Sequence, residues 1–426
     1  MREPPARLSY FTWSLAAAFY LFGFFQRITP ASLAADLMRD FHLSAAALGN
    51  LSAFYYYAYA AMQIPTGLLV DRFGPARLFV AGSALAGAGS LLFALSGSVA
   101  LAGLGRALIG AAHGMAWVSM LKLVTHWFAP RRFGMLSGLS LAIGTLGAIL
   151  AGPPLRALAD AFGWRAVIAV SSVLVLALSV AIKLFMRDDP LDRNYRSFAP
   201  AGARIHAAAS TPVLAGLMDV ARRRNTWLLA IVNSGTCGAF LAFTGLWGVP
   251  FFVQQHALSV KEASTITSAM LVLFALGAPA FGHLSDRWQR RKRPFALGSA
   301  MLVAGFAALA LFPDASLWLL VPALLAASFG TSSMALSFAY VKESVPAQLQ
   351  GAATGVANAG VMLGTLIQMP VIGLILDAHW NGAIVDGVRQ YDLSAFRPAL
   401  TFLFAWMAVA FVLLLLTRET NARQTA

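Results

Sequence analysis

Three basic side chains stand inside long apolar runs of the sequence, where charged residues are rare. Arg27 follows Gln26 in the first run, and Arg106 and His113 share a later run that is rich in alanine and glycine. Arg106 and His113 are seven residues apart, about two turns of an α-helix, so a helix would present both on one face. No aspartate or glutamate stands near the middle of these runs. Because a buried cation costs several kcal/mol, such side chains usually face a cavity or a partner.

Cations without an internal counter-charge predict that the counter-charge arrives with an anionic substrate. Arginine suits a carboxylate or a phosphate, because its planar guanidinium donates two parallel hydrogen bonds. Two alternatives stay open: Arg27 bonds to backbone carbonyls, or Arg106 braces neighbouring helices. Lys122 lies further along the same run and points away from Arg106 and His113, so it either contacts substrate or extends to the membrane interface.

His113 is the candidate proton carrier, because an unperturbed histidine titrates at a pKa of about 6.5. Our hypothesis is that an anion bound at Arg27 and Arg106 raises the affinity of His113 for the coupling proton. The alternative is a neutral histidine that is hydrogen-bonded in the protein core.

Polar residues in the second half of the chain supply further candidate contacts with a substrate. Asn358 and Gln368 share an apolar run and offer amides to substrate hydroxyls or carbonyls, although each could instead pack between helices. Trp247 lies in the stretch from Gly245 to Pro250, which is expected to break its helix near the outer end and to act as a gate.

The elements that must position these residues are membrane helices. The chain has 426 residues, of which 59% are hydrophobic and only 11% are charged. Apolar runs of about 20 residues recur, the length that a helix needs to cross a bilayer. The sequence therefore predicts an all-α integral membrane protein with twelve helices, placed at 10–36, 43–70, 78–98, 100–128, 133–156, 164–186, 226–254, 262–285, 295–313, 316–342, 348–377 and 398–417.

One short charged motif occurs at the same place in each half of the chain. The first copy holds Gly67, Asp71, Arg72, Gly74 and Arg77, and the second holds Gly282, Asp286, Arg287 and Arg291. The repetition predicts two pseudo-symmetric six-helix bundles, residues 1–186 and 226–426, joined by a cytoplasmic linker at 187–225. We expect both motifs to act as latches that pair charges with each other and with a helix N-terminus of the other half, and that hold the cytoplasmic side shut when the carrier faces outward.

The motif and the repeat carry a resemblance to a known family. The spacing G-x-L-x-D-R-x-G-x-x-R, from Gly67 to Arg77, resembles the loop between the second and third helices of the major facilitator superfamily. The second copy is similar to that family's weaker repeat between helices eight and nine. The resemblance spans almost the whole chain and implies the fold of that family, with transport by alternating access.

A narrower resemblance is to the organic anion:cation symporter branch of that family. It is carried by the stretches Gln26–Thr29, Tyr59–Pro65, Arg106–His113 and Trp127–Pro130. The resemblance implies that Arg27 and Arg106 bind the substrate anion, with Gln26 beside them, and that Tyr59 offers a hydroxyl to the cavity. The branch usually has an acid where Gln26 stands, and its sugar-acid carriers have a glutamate in place of His113, so both usual carboxylate proton sites are missing.

The predicted function is therefore inward transport of a small organic anion with protons through a bacterial inner membrane. Positive residues gather in the loops of one side, which places both termini in the cytoplasm. The net charge of +14 reflects these loops, so a nucleic-acid partner is not expected. The lone Cys237 offers neither an internal disulfide nor a zinc site.

Other functions remain open at this stage. A proton-coupled exporter of drugs or siderophores is the first alternative, since glycines on the fifth helix loosely follow an antiporter motif. A membrane enzyme is not expected, because the sequence lacks a nucleophile motif, a metal cluster and a phosphate loop. A non-transporting sensor is disfavoured by the intact motif. We expect a monomer without cofactor or metal, embedded in lipid, although oligomeric state stays open.

Overall fold

The structure is a computed structural model that describes residues 2–199, 223–346 and 349–423. Within these ranges the side chains of five helical residues are not described, namely Ile64, Leu68, Asp71, Gly351 and Ala352. Most of the predicted linker at 187–225 lies outside the described residues.

The described chain up to residue 199 is helical apart from short links. Its α-helices are α1 Ala6–Ser32, α2 Ala34–Phe41, α3 Ala45–Phe73, α4 Pro75–Leu95, α5 Val99–Gly114, α6 Ala116–Trp127, α7 Phe133–Leu150, α8 Pro153–Phe162 and α9 Trp164–Phe185. Two short 3₁₀ turns cover Pro130–Arg132 and Pro190–Arg193.

The described chain after the linker repeats this helical character. Its α-helices are α10 Arg224–Asn233, α11 Ala239–Ala242, α12 Gly248–His256, α13 Val260–Trp288, α14 Lys292–Leu311, α15 Leu317–Thr331, α16 Leu336–Glu343, α17 Gln350–Ala378 and α18 Leu393–Leu415. Two π-helical turns, Ser234–Gly238 and Phe243–Trp247, and a 3₁₀ turn, Ser332–Ala335, join some of them. A small antiparallel hairpin of β1 Ile384–Val385 and β2 Val388–Arg389 precedes α18.

Eleven helical segments in the described part of the chain are long and apolar enough to cross a membrane. The 29-residue α3 fills the position of the predicted second span, although it is not among the eleven. Large apolar side chains such as Leu146, Val170 and Leu174 are exposed, which suits contact with lipid. The prediction of an all-α membrane protein is confirmed.

Helix boundaries mostly agree with the predictions to within a few residues, but four predicted helices are divided. The predicted tenth helix is divided by the 3₁₀ turn Ser332–Ala335. The predicted first helix ends at Ser32, and the separate α2 follows it. The predicted fourth helix is divided at Met115 into α5 and α6. The predicted fifth helix is divided into α7 and α8 at Gly152, where Pro153 begins the next helix because its missing N–H suits a first-turn position.

The described chain forms two compact units. The first contains residues up to Arg27 and from Phe54 to the linker, and the second contains Ile28–Ala53 with the residues after the linker. The boundary therefore falls inside α1 and α3, so the C-terminal end of α1 and the N-terminal end of α3 pack with the second half of the sequence. The predicted six-helix bundles stay a prediction about sequence halves.

Both units use glycines to bring helices together in the same way. In the first unit, a Cβ on Gly144 would lie 2.9 Å from the Tyr20 ring, and one on Gly147 would overlap the Leu21 carbonyl. In the second unit, α17 meets the start of the seventh span through Gly360 and Gly364, where a Cβ would overlap backbone oxygens. Small residues at such contacts let membrane helices pack closely, so the repeat is present in the packing as well as in the motif.

The seventh span is not broken where the sequence predicted a break. Residues Phe243–Trp247 form a π-helical turn that continues directly into α12 at Gly248. Pro250 is in the first turn of α12, a position that tolerates proline, so the backbone widens locally instead of ending. π turns are frequent at functional sites, and this span contains two of them.

Candidate functional site

The first unit gathers the predicted basic residues around one tyrosine. Tyr55 on α3 accepts a hydrogen bond at 3.4 Å from Nε of Arg27 on α1. The guanidinium of Arg106 on α5 lies over the same ring, 5.2 Å from its centroid. The ring of His113, two turns further along α5, lies 6.4 Å from the Tyr55 ring. Three helices thus bring the basic residues that the sequence singled out into one cluster.

Arg27 is held mainly by aromatic rings. Its guanidinium carbon lies 4.7 Å from the centroid of Phe24, 5.5 Å from Tyr55 and 5.2 Å from Tyr59. Only 8% of the residue is exposed. The negative faces of the rings favour the cation without neutralising its charge. The alternative in which Arg27 bonds to backbone carbonyls is not seen among the described residues.

Arg106 braces two helices with one nitrogen and leaves the others unused. Its Nη1 donates to the carbonyl oxygen of Gln26 at 2.5 Å. Among the described residues, Nε and Nη2 of Arg106 have no hydrogen-bond partner, although the residue is only 2% exposed. A buried donor without a partner is costly, so these two nitrogens would gain from a bound acceptor. An anion is the acceptor that a guanidinium binds most strongly.

His113 is stacked and hydrogen-bonded in the same cluster. Its Nε2 lies 2.9 Å from Oε1 of Gln26, an acceptor, so Nε2 carries the hydrogen in this arrangement. The ring stacks on Phe19 with centroids 4.6 Å apart. Within the described chain, Nδ1 of His113 and the amide nitrogen of Gln26 lack partners. A single ring nitrogen is thus open to accept a proton.

Glycines set the distances within this cluster. A Cβ on Gly110 would overlap the carbonyl oxygen of Tyr55, and one on Gly114 would lie 2.8 Å from Cβ of Met62. These residues are four apart on α5, so they lie on one face and allow α5 to rest against the backbone of α3. A Cβ on Gly23 would lie 2.8 Å from Nδ1 of His113, so α1 leaves room for the imidazole in the same manner.

The cluster contains no acid among the described residues. The ion pairs that the structure shows in this unit involve carboxylates elsewhere, such as Asp189 and Asp160, and none reaches Arg27 or Arg106. Two buried guanidiniums share the Tyr55 ring without a carboxylate. The arrangement can bind an anion by charge and by forked hydrogen bonds, which is the chemistry predicted from the sequence.

The second-unit candidates lie among neutral groups. Nε1 of Trp247 donates to the carbonyl of Met369 at 3.0 Å, and Nε2 of Gln368 donates to the carbonyl of Ser234 at 3.0 Å. Oε1 of Gln368 has no partner in the described chain. Asn358 is half-buried on the same helix, α17. None of these three side chains is charged.

Tyr55 and Ser234 are candidates that sequence reasoning did not single out. Four tyrosines occur between positions 55 and 59, and their spacing alone does not tell which face the arginines meet. The signal that could have found Tyr55 is its position four residues before Tyr59, since residues i and i+4 share a helix face. Ser234 begins a π-helical turn, which has no sequence signature of its own.

Lys122 lies apart from the cluster, as its spacing predicted. Its Nζ donates to the carbonyl oxygen of Val70 at 3.0 Å, near the end of α3. A lysine on a late carbonyl complements the negative end of a helix. This contact favours a structural role over contact with substrate.

Gly74 in the first motif has a clear structural role. Its φ of 81° belongs to the region that favours glycine, and a Cβ there would overlap the carboxylate of Asp188. Oδ1 of Asp188 accepts from the backbone N–H of Ala76 at 2.7 Å, which places an anion at the start of α4. Burial raises the pKa of Asp188, although the hydrogen bond from Ala76 opposes this.

The other residues of the first motif show fewer contacts in the described structure. The side chain of Asp71 lies outside the described residues, and Arg72 contacts the adjacent Phe73 ring at 5.3 Å. Arg77 is exposed. No described atom lies within 4 Å of a Cβ built on Gly67 or on Gly282.

The second motif forms an ion-pair network inside its own unit. Nη1 of Arg291 lies 3.0 Å from Asp286, and its other terminal nitrogen lies 2.9 Å from Glu343. Glu419 accepts from the backbone N–H of Arg291 at 2.9 Å, just before α14. Glu419 thus lies at the start of α14 as Asp188 lies at the start of α4. Arg287 is exposed and joins no ion pair in the described chain.

A hydrogen-bonded cluster around one carboxylate, which the sequence did not predict, holds the start of α3. The Asp377 carboxylate, near the end of α17, accepts from the backbone N–H groups of Ala45 at 3.1 Å and Ala46 at 2.8 Å. Its Oδ1 also accepts from the hydroxyl of Tyr391 at 2.7 Å and from Arg389 at 3.3 Å. The anion caps a helix N-terminus far away in sequence, so it ties residues 45–46 to the second half of the chain.

We expect Asp377→Asn to loosen the start of α3. The neutral amide loses the charge that favours a helix N-terminus and presents one acceptor oxygen instead of two, a change of ~1–2 kcal/mol. Hydrogen exchange at Ala45 and Ala46 should therefore accelerate, while Asp314→Asn, an exposed carboxylate elsewhere, should leave it unchanged. Unchanged exchange in Asp377→Asn would rule out this cap as the restraint.

Comparison with known proteins supports the sequence resemblance. The family model described as Major Facilitator Superfamily matches residues 14–256 and 235–426. The chain is 25% identical over 396 residues to the probable sulfoacetate transporter SauU of Cupriavidus necator, covering 88% of this chain and 86% of that protein. It is 24% identical over 444 residues to the probable galactarate/D-glucarate transporter GudP of Pseudomonas putida, covering 94% and 91%.

Two further comparisons concern an exporter and a solved structure. The tetracenomycin C resistance and export protein of Streptomyces glaucescens is 26% identical over 85% of this chain and 75% of its own length. A crystal structure of a bacterial homolog of the human lysosomal transporter Spinster superposes with a TM-score of 0.75 at 14% identity, covering 97% of both chains. The likeness to that structure supports the fold alone.

Proposed function

Because this chain belongs to the Major Facilitator Superfamily, we propose that it is a secondary active transporter that carries a small organic anion across a bacterial inner membrane. The proposed cargo bears a carboxylate or sulfonate group. The proposed cycle is alternating access with proton symport, and we propose that both termini lie in the cytoplasm.

The observation that carries this proposal is the pair of buried guanidiniums without an acid. Arg27 and Arg106 share the Tyr55 ring, and two donors of Arg106 lack partners in the described chain. Charged side chains inside a membrane protein usually have a counter-charge. Where the protein supplies none, a charged ligand is expected to supply it. A small anion at this cluster would accept from Arg106 and the amide of Gln26 while facing the charge of Arg27.

The relatives point in the same direction. SauU is named for sulfoacetate and GudP for galactarate and D-glucarate, which all carry carboxylates. The NarK2 protein of Mycobacterium tuberculosis, at 27% identity, is named for nitrate and nitrite. The cargoes named for these three relatives differ in structure, but all of them are negatively charged. An arginine pair can bind a negative charge in any of them.

We test this function by uptake into proteoliposomes. Purified protein is reconstituted with an outward or inward proton gradient, and uptake of labelled sulfoacetate, glucarate and a matched neutral amide is followed. The proposal expects uptake of at least one anion, stimulated by external acid, and no uptake of the amide. Transport of the neutral compound alone would contradict it.

His113 is proposed as the proton site of the cycle. Its Nε2 is engaged with Gln26, and Nδ1 is open. A proton on Nδ1 would place a third positive charge beside Arg27 and Arg106, which an anion in the cluster would offset. Anion and proton would thus each favour binding of the other, as a symporter requires.

We expect His113→Gln to uncouple transport from protons. Glutamine preserves a hydrogen bond to Gln26 but cannot be protonated near neutral pH. Substrate-driven alkalinisation outside the vesicles should disappear while anion binding persists. His283→Gln, at an exposed histidine of α13, is the matched control and should couple normally. Full coupling in His113→Gln would eliminate this role.

An exporter of a larger organic molecule is the second candidate. The tetracenomycin C export protein favours it by similarity, and Gly144 and Gly147 on α7 contact α1 closely. The two proposed functions differ in the direction of transport. Inverted vesicles that accumulate drug in exchange for protons would support export, and right-side-out vesicles that accumulate an anion would support import.

The two charged motifs are proposed as latches of the cycle. Within the second unit, Asp286, Arg291 and Glu343 form a connected network at the ends of α13 and α16. The outer counterpart is proposed to be the Asp377 cap on α3. Latches on both sides would give each end of the carrier a closed state of its own, which alternating access requires.

A further inference from the structure

The link between α13 and α14 carries more positive charge than its counterpart in the first half. The first motif has Arg72 and Arg77. The second has five cations within seven residues: Arg287, Arg290, Arg291, Lys292 and Arg293. The second link thus carries three more cations than the first motif does.

Internal contacts use only part of this charge. Arg291 pairs with Asp286 and Glu343. Nζ of Lys292 donates to the carbonyls of Leu415 at 2.6 Å and Thr417 at 3.0 Å, at the end of α18. The guanidiniums of the other three arginines have no hydrogen bond or ion pair with any described residue; these are Arg287, Arg290 and Arg293.

Two of these arginines line a cavity. Its volume is about 350 Å³, and Trp288, Arg290 and Arg293 form its described walls. Trp288 is the last residue of α13 and is 44% exposed. Forked guanidiniums match a phosphate, and tryptophan is enriched where a helix leaves the bilayer at headgroup depth.

We propose that this cavity binds a phosphate-bearing anion, with an anionic phospholipid of the adjacent leaflet as its source. Arg290 and Arg293 contact the phosphate, and the indole of Trp288 lies against the glycerol region. Basic pockets between spans on the cytoplasmic side suit lipid headgroups, and this end is the one that the distribution of positive charge places there. None of the residues that line it belongs to the Arg27 cluster.

Native mass spectrometry of the purified full-length protein tests the proposal. It is titrated with phosphatidylglycerol, with phosphatidylcholine and with inorganic phosphate. We expect phosphatidylglycerol to bind in preference to phosphatidylcholine, and Arg290→Gln with Arg293→Gln to weaken its binding about thirtyfold. The control removes two adjacent arginines on the same predicted side, Arg131→Gln with Arg132→Gln, and should bind like wild type.

The other outcomes are equally decisive. Displacement of phosphatidylglycerol by millimolar inorganic phosphate would support the phosphate site and assign it to a soluble ligand. Equal weakening in both double variants would overturn the proposal in favour of diffuse charge attraction, and absence of any preference for phosphatidylglycerol would overturn it as well. Trp288→Ala removes a wall and no charge, so unchanged binding in this variant would overturn the cavity as the site.

Discussion

Arg27→Gln is expected to abolish anion transport while leaving the protein folded. A buried charge pair that loses one partner forfeits 3–5 kcal/mol, so binding of the anion should weaken by about 100-fold or more. The unliganded protein loses only a hydrogen bond to Tyr55 and ring contacts, and it no longer buries an uncompensated charge. We therefore expect a melting temperature close to that of wild type without substrate.

Uptake and thermal unfolding of the same preparations separate the two effects. Arg131→Gln, at an exposed arginine, removes the same charge from the predicted cytoplasmic surface and should transport normally. A purely structural Arg27 would show the reverse pattern, with a large fall in melting temperature and transport reduced only in proportion to the folded fraction.

Gly110→Ala is expected to show the largest effect among uncharged substitutions. Its methyl group would overlap the Tyr55 carbonyl oxygen, so α5 must move away from α3. Overpacking of this kind costs typically ~1–3 kcal/mol, and the displacement also moves Arg106 relative to Tyr55. Stability and anion uptake should fall together, by several degrees in melting temperature and by roughly tenfold or more in rate.

Gly138→Ala on α7 is the matched control, because no described atom lies within 4 Å of a Cβ there. Alanine in an open helical position is favoured over glycine by ~0.5–1 kcal/mol, so this variant should be slightly stabilised. The two alanine substitutions thus have opposite predicted signs. If both raised the melting temperature, the close contact between α3 and α5 would be incorrect.

The fold was largely readable from the sequence because hydropathy and the repeated motif act over long, regular segments. Helix ends fall within a few residues of their predicted places, and the family is confirmed. The breaks at Met115 and Gly152 and the π turns of the seventh span were not predicted. They depend on local packing, since the apolar pattern continues through each of them.

The candidate site was predictable in its charges and less so in its surroundings. Arg27, Arg106 and His113 could be selected because a charge in an apolar run needs a reason. The tyrosine that they contact could not be predicted, because the rotation of each helix is set by contacts such as that of Gly110 with the Tyr55 carbonyl. The Asp377 cap joins residues more than 300 positions apart, a relation that no local pattern encodes.

The roles assigned to Trp247, Asn358 and Gln368 stay predictions. Trp247 and Gln368 each hold a backbone carbonyl, which fits a packing role and equally leaves Oε1 of Gln368 for a ligand. Single alanine substitutions at these positions, read by substrate affinity and by melting temperature, would separate the two roles. The proposed binding of an anion by Arg27 and Arg106 does not depend on these three residues.

The most direct test measures ligand-induced stabilisation of the purified protein. Small carboxylates and sulfonates are compared with neutral amides of the same skeletons, in wild type, Arg27→Gln and Arg106→Gln. The account predicts that an anion raises the melting temperature of wild type, that its amide does not, and that either substitution removes the shift. Stabilisation by a neutral or cationic compound, or an anion-dependent shift that survives in Arg27→Gln, would contradict it.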